Sequence, residues 1–163
     1  MTDDVVRFLD DFRAAESASV EVLRAWIDVC QLDGLRGGLR TIAGREAAHA
    51  VLAAERLAEL GAPATASVPE EVRAAAVARF GSPSVPDEEK IALVLARYPD
   101  DASSTREIAA LAARLADDPE TRELLRLIAE GEAATVAWLR AYHAGLSRRG
   151  GAGRPPATPD RGA

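Results

Sequence analysis

The chain has one cysteine, Cys30, and one lysine, Lys90. A lone cysteine rules out an internal disulfide and thiolate-rich zinc or iron–sulfur centres within one chain, and it suits a reducing compartment. Lysine's near-absence reads as a coding preference for arginine, which supplies every other basic residue. Aromatic residues make up only 4% of the sequence. Alanine is abundant, which favours close-packed helices over a sheet built from β-branched and aromatic residues. No apolar run approaches the ~20 residues of a membrane span, and the opening Thr2-Asp3-Asp4 lacks the apolar segment of a secretory signal. A cytoplasmic protein without a membrane partner is therefore expected. Net positive charge is lacking as well. The formal charge is -6, and residues from Ser147 onward carry +3 of it, so the body stands at -9. An acidic body argues against nucleic acid as a partner.

What is present is helical periodicity, in a length of 163 residues that suits one domain. A first helix is expected from about Asp4 to Cys30. Its inward stripe reads Leu9, Phe12, Glu16, Ser19, Leu23, Trp26 and Cys30 in alternating steps of three and four. After a turn at 31–34, a second is expected from about Leu35 to Leu60, with Leu35, Leu39, Ile42, Glu46, His49, Ala53 and Leu57 inward. Gly61 and Pro63 end it. Glu16 and Glu46 lie equally far from the turn, so an antiparallel pair sets them at one height.

Residues 61–103 read as a long crossover with two short helices, Glu70–Phe80 and Asp87–Tyr98. A third main helix is expected from Ser104, with Glu107 completing a capping box. Asp118 and Pro119 open a fourth, to about Leu146, with Leu125, Ile128, Glu132, Thr135, Leu139, Tyr142 and Leu146 inward. The fold expected is all-α: an antiparallel four-helix bundle over residues 1–147, with a long, partly helical crossover between its second and third helices. Residues 148–163, rich in Gly, Pro and Arg, are expected to be a disordered tail.

The two long hairpins carry a repeated octapeptide. Ile42-Ala43-Gly44-Arg45-Glu46-Ala47-Ala48-His49 recurs as Ile128-Ala129-Glu130-Gly131-Glu132-Ala133-Ala134-Thr135. Glu and His three apart share one helix face. In the second copy Thr135 stands where the first has His49. The matching position before the fourth helix falls at Ala102, beside Asp101 and short of the helix expected from Ser104, with no glutamate in register; Asp101 or Glu107 could substitute only with shifted geometry. His143 lies about 16 Å beyond Glu132 along the helix, too far to replace the missing imidazole.

A glutamate on one helix and Glu-x-x-His on the next, repeated, resembles the ligand arrangement of the ferritin-like superfamily, in the broad sense that includes ferritins and rubrerythrins. The resemblance covers about Val5 to Leu146. It implies Glu16, Glu46 and His49 as one metal half-site and Glu132 as the remnant of a second. With three carboxylates and one imidazole, it implies a single Fe, Mn or Zn ion rather than two, or no ion at all, and at most an iron-dependent oxidase-type activity. Without a cation the carboxylates must take up protons or pair with an arginine such as Arg45. The alternative is a degenerate, non-catalytic bundle that acts as a structural or protein-interaction module, as a homodimer or with another protein.

Overall fold

The computed structural model describes residues 3–151, with side chains up to residue 148. Six helices and no strand occur among them: α1 Asp3–Val29, α2 Asp33–Glu59, α3 Glu70–Phe80, α4 Asp87–Leu95, α5 Arg106–Ala113 and α6 Pro119–Gly151. None of these helices is long and apolar enough to cross a membrane.

The α1–α2 hairpin is the frame. Its turn is held from outside by Asp87 of α4. That carboxylate accepts hydrogen bonds from Gln31 N at 2.9 Å, Trp26 Nε1 at 2.8 Å and the Cys30 thiol at 3.4 Å. The α1 C-terminus and the α4 N-terminus are thereby tied together. At the other end Gly61, with φ of 68°, ends α2, a conformation that costs a β-carbon-bearing residue. The chain then turns back along α1. Asp10 accepts Thr65 N and Ala66 N, both at 2.8 Å, and fixes that return. Helix α3 lies on α1 with none of its residues buried.

Two apolar layers form the core. In one, Val5 and Leu9 of α1 meet Ala53 and Leu57 of α2, Ile108 and Leu111 of α5, and Leu125 and Ile128 of α6. In the other, Leu23 and Trp26 of α1 meet Leu35, Leu39 and Ile42 of α2, Ile91 of α4 and Leu139 of α6. Leu9, Leu57 and Leu125 are fully buried, each stabilising the fold by about 1.5–3 kcal/mol relative to exposure. The layers also set directions. Helices α1 and α6 run one way, while α2 and the α4-to-α5 path run the other.

The third helix expected from Ser104 is present as α5, which starts two residues later, with Ile108 and Leu111 buried on it and Leu115 buried just after it. Helix α4 covers one half of α6 and α5 the other, with a bend at 96–105 between them. No capping box forms. Thr105 is the residue before α5 and makes no side-chain cap bond, the Ser104 hydroxyl is buried without a partner, and Glu107 is exposed. Asp100 is the cause: its side chain accepts Ala102 N at 3.0 Å and pairs with Arg106 at 2.9 Å. This local turn competes with helix for the same backbone donors. Helix α4 ends at Leu95 rather than Tyr98: Arg97 N and Tyr98 N bond to Val94 O and Leu95 O in tight turns just before Pro99.

The opening of α6 follows the sequence expectation. Asp118 accepts Thr121 N at 3.0 Å, and Arg56 of α2 donates to Asp118 at 3.0 Å and to Thr121 at 2.8 Å. Helix α6 continues to Gly151, so residues 148–151 are helical rather than part of a tail. The rest of that expected tail lies outside the described residues.

Candidate metal centre

Between the two apolar layers lies a polar one. It contains Glu16, midway between Leu9 and Leu23 on α1, His49, between Ile42 and Ala53 on α2, and Glu132, between Ile128 and Leu139 on α6. Their heptad positions point them inward, and the hairpin sets them at one height. His49 Nδ1 is 3.2 Å from Glu16 Oε2 and 3.3 Å from Glu132 Oε1. One donor atom from each residue lies within 4.8 Å of the other two, and the cluster could hold a metal ion. Glu16 and His49 are each 7% exposed.

Glu46, the fourth residue singled out from the sequence, stands beside this trio rather than in it. Its Oε2 is buried with no hydrogen-bond partner, and the Ser19 hydroxyl is within reach of the carboxylate. Thr135 is buried and lines the same space as Glu46 and Glu132. Arg45 does not neutralise the cluster: its guanidinium donates instead to the Gly131 carbonyl at 3.1 Å. Asp101 and Glu107 do not reach the layer either. Both are exposed, and Asp101 pairs with Arg140. The bend at 96–105 occupies the height at which a third-helix ligand would stand, and half-buried Tyr98 lies there instead.

The electrostatics follow from this geometry. Burial disfavours a charged His49, but hydrogen bonds and charge from Glu132 and Glu16 outweigh it and push its pKa up to about 9. Burial raises the Glu16 pKa, with the Glu132 charge adding to it against the His49 hydrogen bond. Burial also pushes Glu46 up to about 7, against the Ser19 hydrogen bond and with the charges of Glu16 and Glu132 adding. Buried ionised groups cost several kcal/mol each in desolvation. The polar layer is thus expensive, and a hydrocarbon layer there would stabilise the bundle better.

Two features were not read from the sequence. Gly131 takes the place that Arg45 holds in the first copy of the repeat, and it lets α6 come close to His49. A Cβ on it would stand 3.0 Å from His49 Cε1 and 3.1 Å from Arg45 Cδ. The repeat carried that signal as an Arg-to-Gly difference. The second is a cavity of about 280 Å³ that adjoins the polar layer and is walled by α1, α2, α3, α4 and α6. No single-helix pattern marks it, because it needs α3 to close over α1.

No protein-family model matches the sequence, and no curated protein and no solved structure matches the chain.

Proposed function

We propose that this chain is a ferritin-like helical bundle that holds one divalent ion, Fe, Mn or Zn, at Glu16, His49 and Glu132. The observation that carries the reading is the convergence of these three donor atoms in a buried layer that no arginine neutralises. The donor set fits: two carboxylates and an imidazole suit borderline divalent ions. A bound ion would repay the desolvation that the layer otherwise costs. The helix directions and the single long connection between α2 and α4 support a ferritin-like arrangement. The bend at 96–105 and Thr135 together remove the ligands of a second ion, so the stoichiometry is one. Such an ion supplies Lewis acidity or, if redox-active, one-electron chemistry of the oxidase type. Glu16, His49 and Glu132 hold it, while the apolar layers above and below exclude water.

Metal analysis of protein purified without an affinity tag tests this, followed by calorimetric titration of chelator-treated protein with Mn²⁺, Zn²⁺ and anaerobic Fe²⁺. One equivalent bound, a rise in Tm with metal, and loss of both in His49→Ala are expected. A metal content well below one equivalent, with Tm indifferent to chelator, overturns it.

A second reading has its own observation. His49 already bridges Glu16 and Glu132 at 3.2 and 3.3 Å, a charge triad that satisfies itself without a metal. On that reading the chain is a structural or protein-binding module, and the layer fixes helix register.

A further inference from the structure

The cavity beside the polar layer has a mixed lining with a definite polarity. Its walls are hydrocarbon, among them Val22, Trp26, Leu39, Phe80, Val94 and Leu139. Its polar inner end is made of Glu46, Glu132, Ser19 and Thr135. Its outer side is marked by Val72, which is 55% exposed, and by exposed Ala15 and Arg97. A volume of about 280 Å³ sits at the small end of ligand pockets, which run from ~300 Å³ upward.

The inner end presents two carboxylates and two hydroxyls; Glu132 already meets His49 at 3.3 Å, and Glu46 meets no cation. Of the two arginines that line the cavity, Arg73 is held outside by Glu21 and Glu70, and Arg97 is exposed on the outer side. Glu46 Oε2 is a buried acceptor with nothing donating to it, and leaving such an atom unpaired costs about 1–3 kcal/mol, more when it is charged. A carboxylate head would meet like charge there. An alcohol brings one donor and no charge. An ammonium brings three donors and the opposite charge.

We propose that this cavity binds a small hydrocarbon amine, its ammonium seated on Glu46 at the polar inner end and its chain running outward between α1, α3 and α4. This goes beyond the metal reading and does not rest on it. Glu46 lies outside the three metal donors, and the apolar walls belong to neither reading of the polar layer.

The test is calorimetric titration of the full chain, once treated with EDTA and once loaded with Mn²⁺, using butylamine, hexylamine and octylamine against 1-octanol and octanoate. Fluorescence of Trp26, which lines the cavity, gives a second readout. Saturable one-to-one amine binding is expected in both preparations, tightening about fourfold per added methylene, the fold-change that burial of one CH₂ implies. Octanol and octanoate should bind at least about tenfold more weakly, the ratio that 1.4 kcal/mol of lost pairing gives. Glu46→Gln should erase the preference for amine over alcohol while keeping the chain-length dependence. Ala76→Phe, on α3 where no residue is buried, should weaken every ligand with the circular dichroism unchanged. Octanoate binding as tightly as octylamine, amine binding only in the Mn²⁺-loaded protein, or no saturable amine binding up to roughly 1 mM would each overturn the proposal. The metal reading fails separately, on metal content, and leaves the amine result in EDTA-treated protein standing.

Discussion

Gly131 stands against His49 so closely that a Cβ on it would lie 3.0 Å from Cε1 and 3.1 Å from Nε2 of the imidazole. Gly131→Ala must therefore push the ring or α6 by a few tenths of an ångström. Alanine gains about 1 kcal/mol of helix propensity over glycine, so the metal-free Tm should change little. On the proposed metal reading, affinity for the ion should fall at least about tenfold, since displacing the His49 ring loosens the donor geometry. Gly44→Ala is the control. Nothing lies within 4 Å of its added Cβ, so Tm should rise by about 2–4 °C with metal titrations unchanged. Equal metal affinity in both variants would show that the approach of α6 to His49 is immaterial.

Chelator-treated protein should lose stability in two steps as pH rises. A carboxyl whose folded pKa is raised is penalised once ionised. Glu46, pushed from 4.5 up to about 7, therefore withdraws stability between pH 4.5 and 7. His49, raised from 6.5 to about 9, contributes stability that is complete below pH 6.5 and lost as pH passes 9. Glu46→Gln should shrink the first step, leaving the contribution of Glu16, whose pKa burial also raises, and leave the second; it should be more stable than wild type at pH 8 by on the order of 2 kcal/mol. Urea denaturation at pH 4.5, 7 and 9.5 measures this. Parallel curves for the two proteins would rule out a buried, unpaired Glu46.

Asp10 should dominate the acid limb. It is 7% exposed. Burial opposes its charge, but Arg13 and the Thr65 and Ala66 amides outweigh that and bring its pKa down to about 2. A depressed carboxyl gives stability that is present above 3.8 and lost as pH falls through 2. Asp10→Asn at pH 6 should cost about 1–2 kcal/mol and loosen residues 61–69, visible as faster amide exchange at Thr65 and Ala66. Unchanged exchange at both amides would show that the carboxylate is not what holds the crossover to α1.

Lys90 is only 1% exposed. Burial lowers its pKa despite the charge of Asp87, so the folded state disfavours its ammonium. Lys90→Met keeps the stem and removes the charge, and should raise Tm by about 2–4 °C, the equivalent of about 1 kcal/mol. The gain should be larger at pH 6 than at pH 10, where the wild-type amine is closer to neutral. A loss of several degrees would reveal a partner for the amine that the fold needs.

Much of the architecture lay in the local pattern. Alternating three-four steps fixed the inward faces of α1, α2 and α6, and the counting of residues about the first turn set Glu16 against the Glu46–His49 turn of α2. The Asp118-Pro119 start of α6 and the Glu70–Phe80 helix were legible for the same reason: caps, prolines and periodicity are short-range signals. The start of the third helix was placed two residues early because Ser104 with Glu107 is a valid capping pattern on its own. The competing bond from Asp100 to Arg106 is only weakly encoded, and its success depends on α5 docking against α6.

The sequence by itself determined which residues face inward and which height they share, because helix geometry converts spacing into position without further information. It could not say which of the four candidate ligands, Glu16, Glu46, His49 and Glu132, would meet. That choice rests on rotamers, on Gly131 admitting the His49 ring, and on Arg45 turning to a backbone carbonyl 86 residues away. The tertiary structure therefore decided that Glu16, His49 and Glu132 form the cluster, that Glu46 is left facing a cavity, and that a bend between α4 and α5 lies beside it. Contacts between distant segments have no period along the chain, so only packing reveals them.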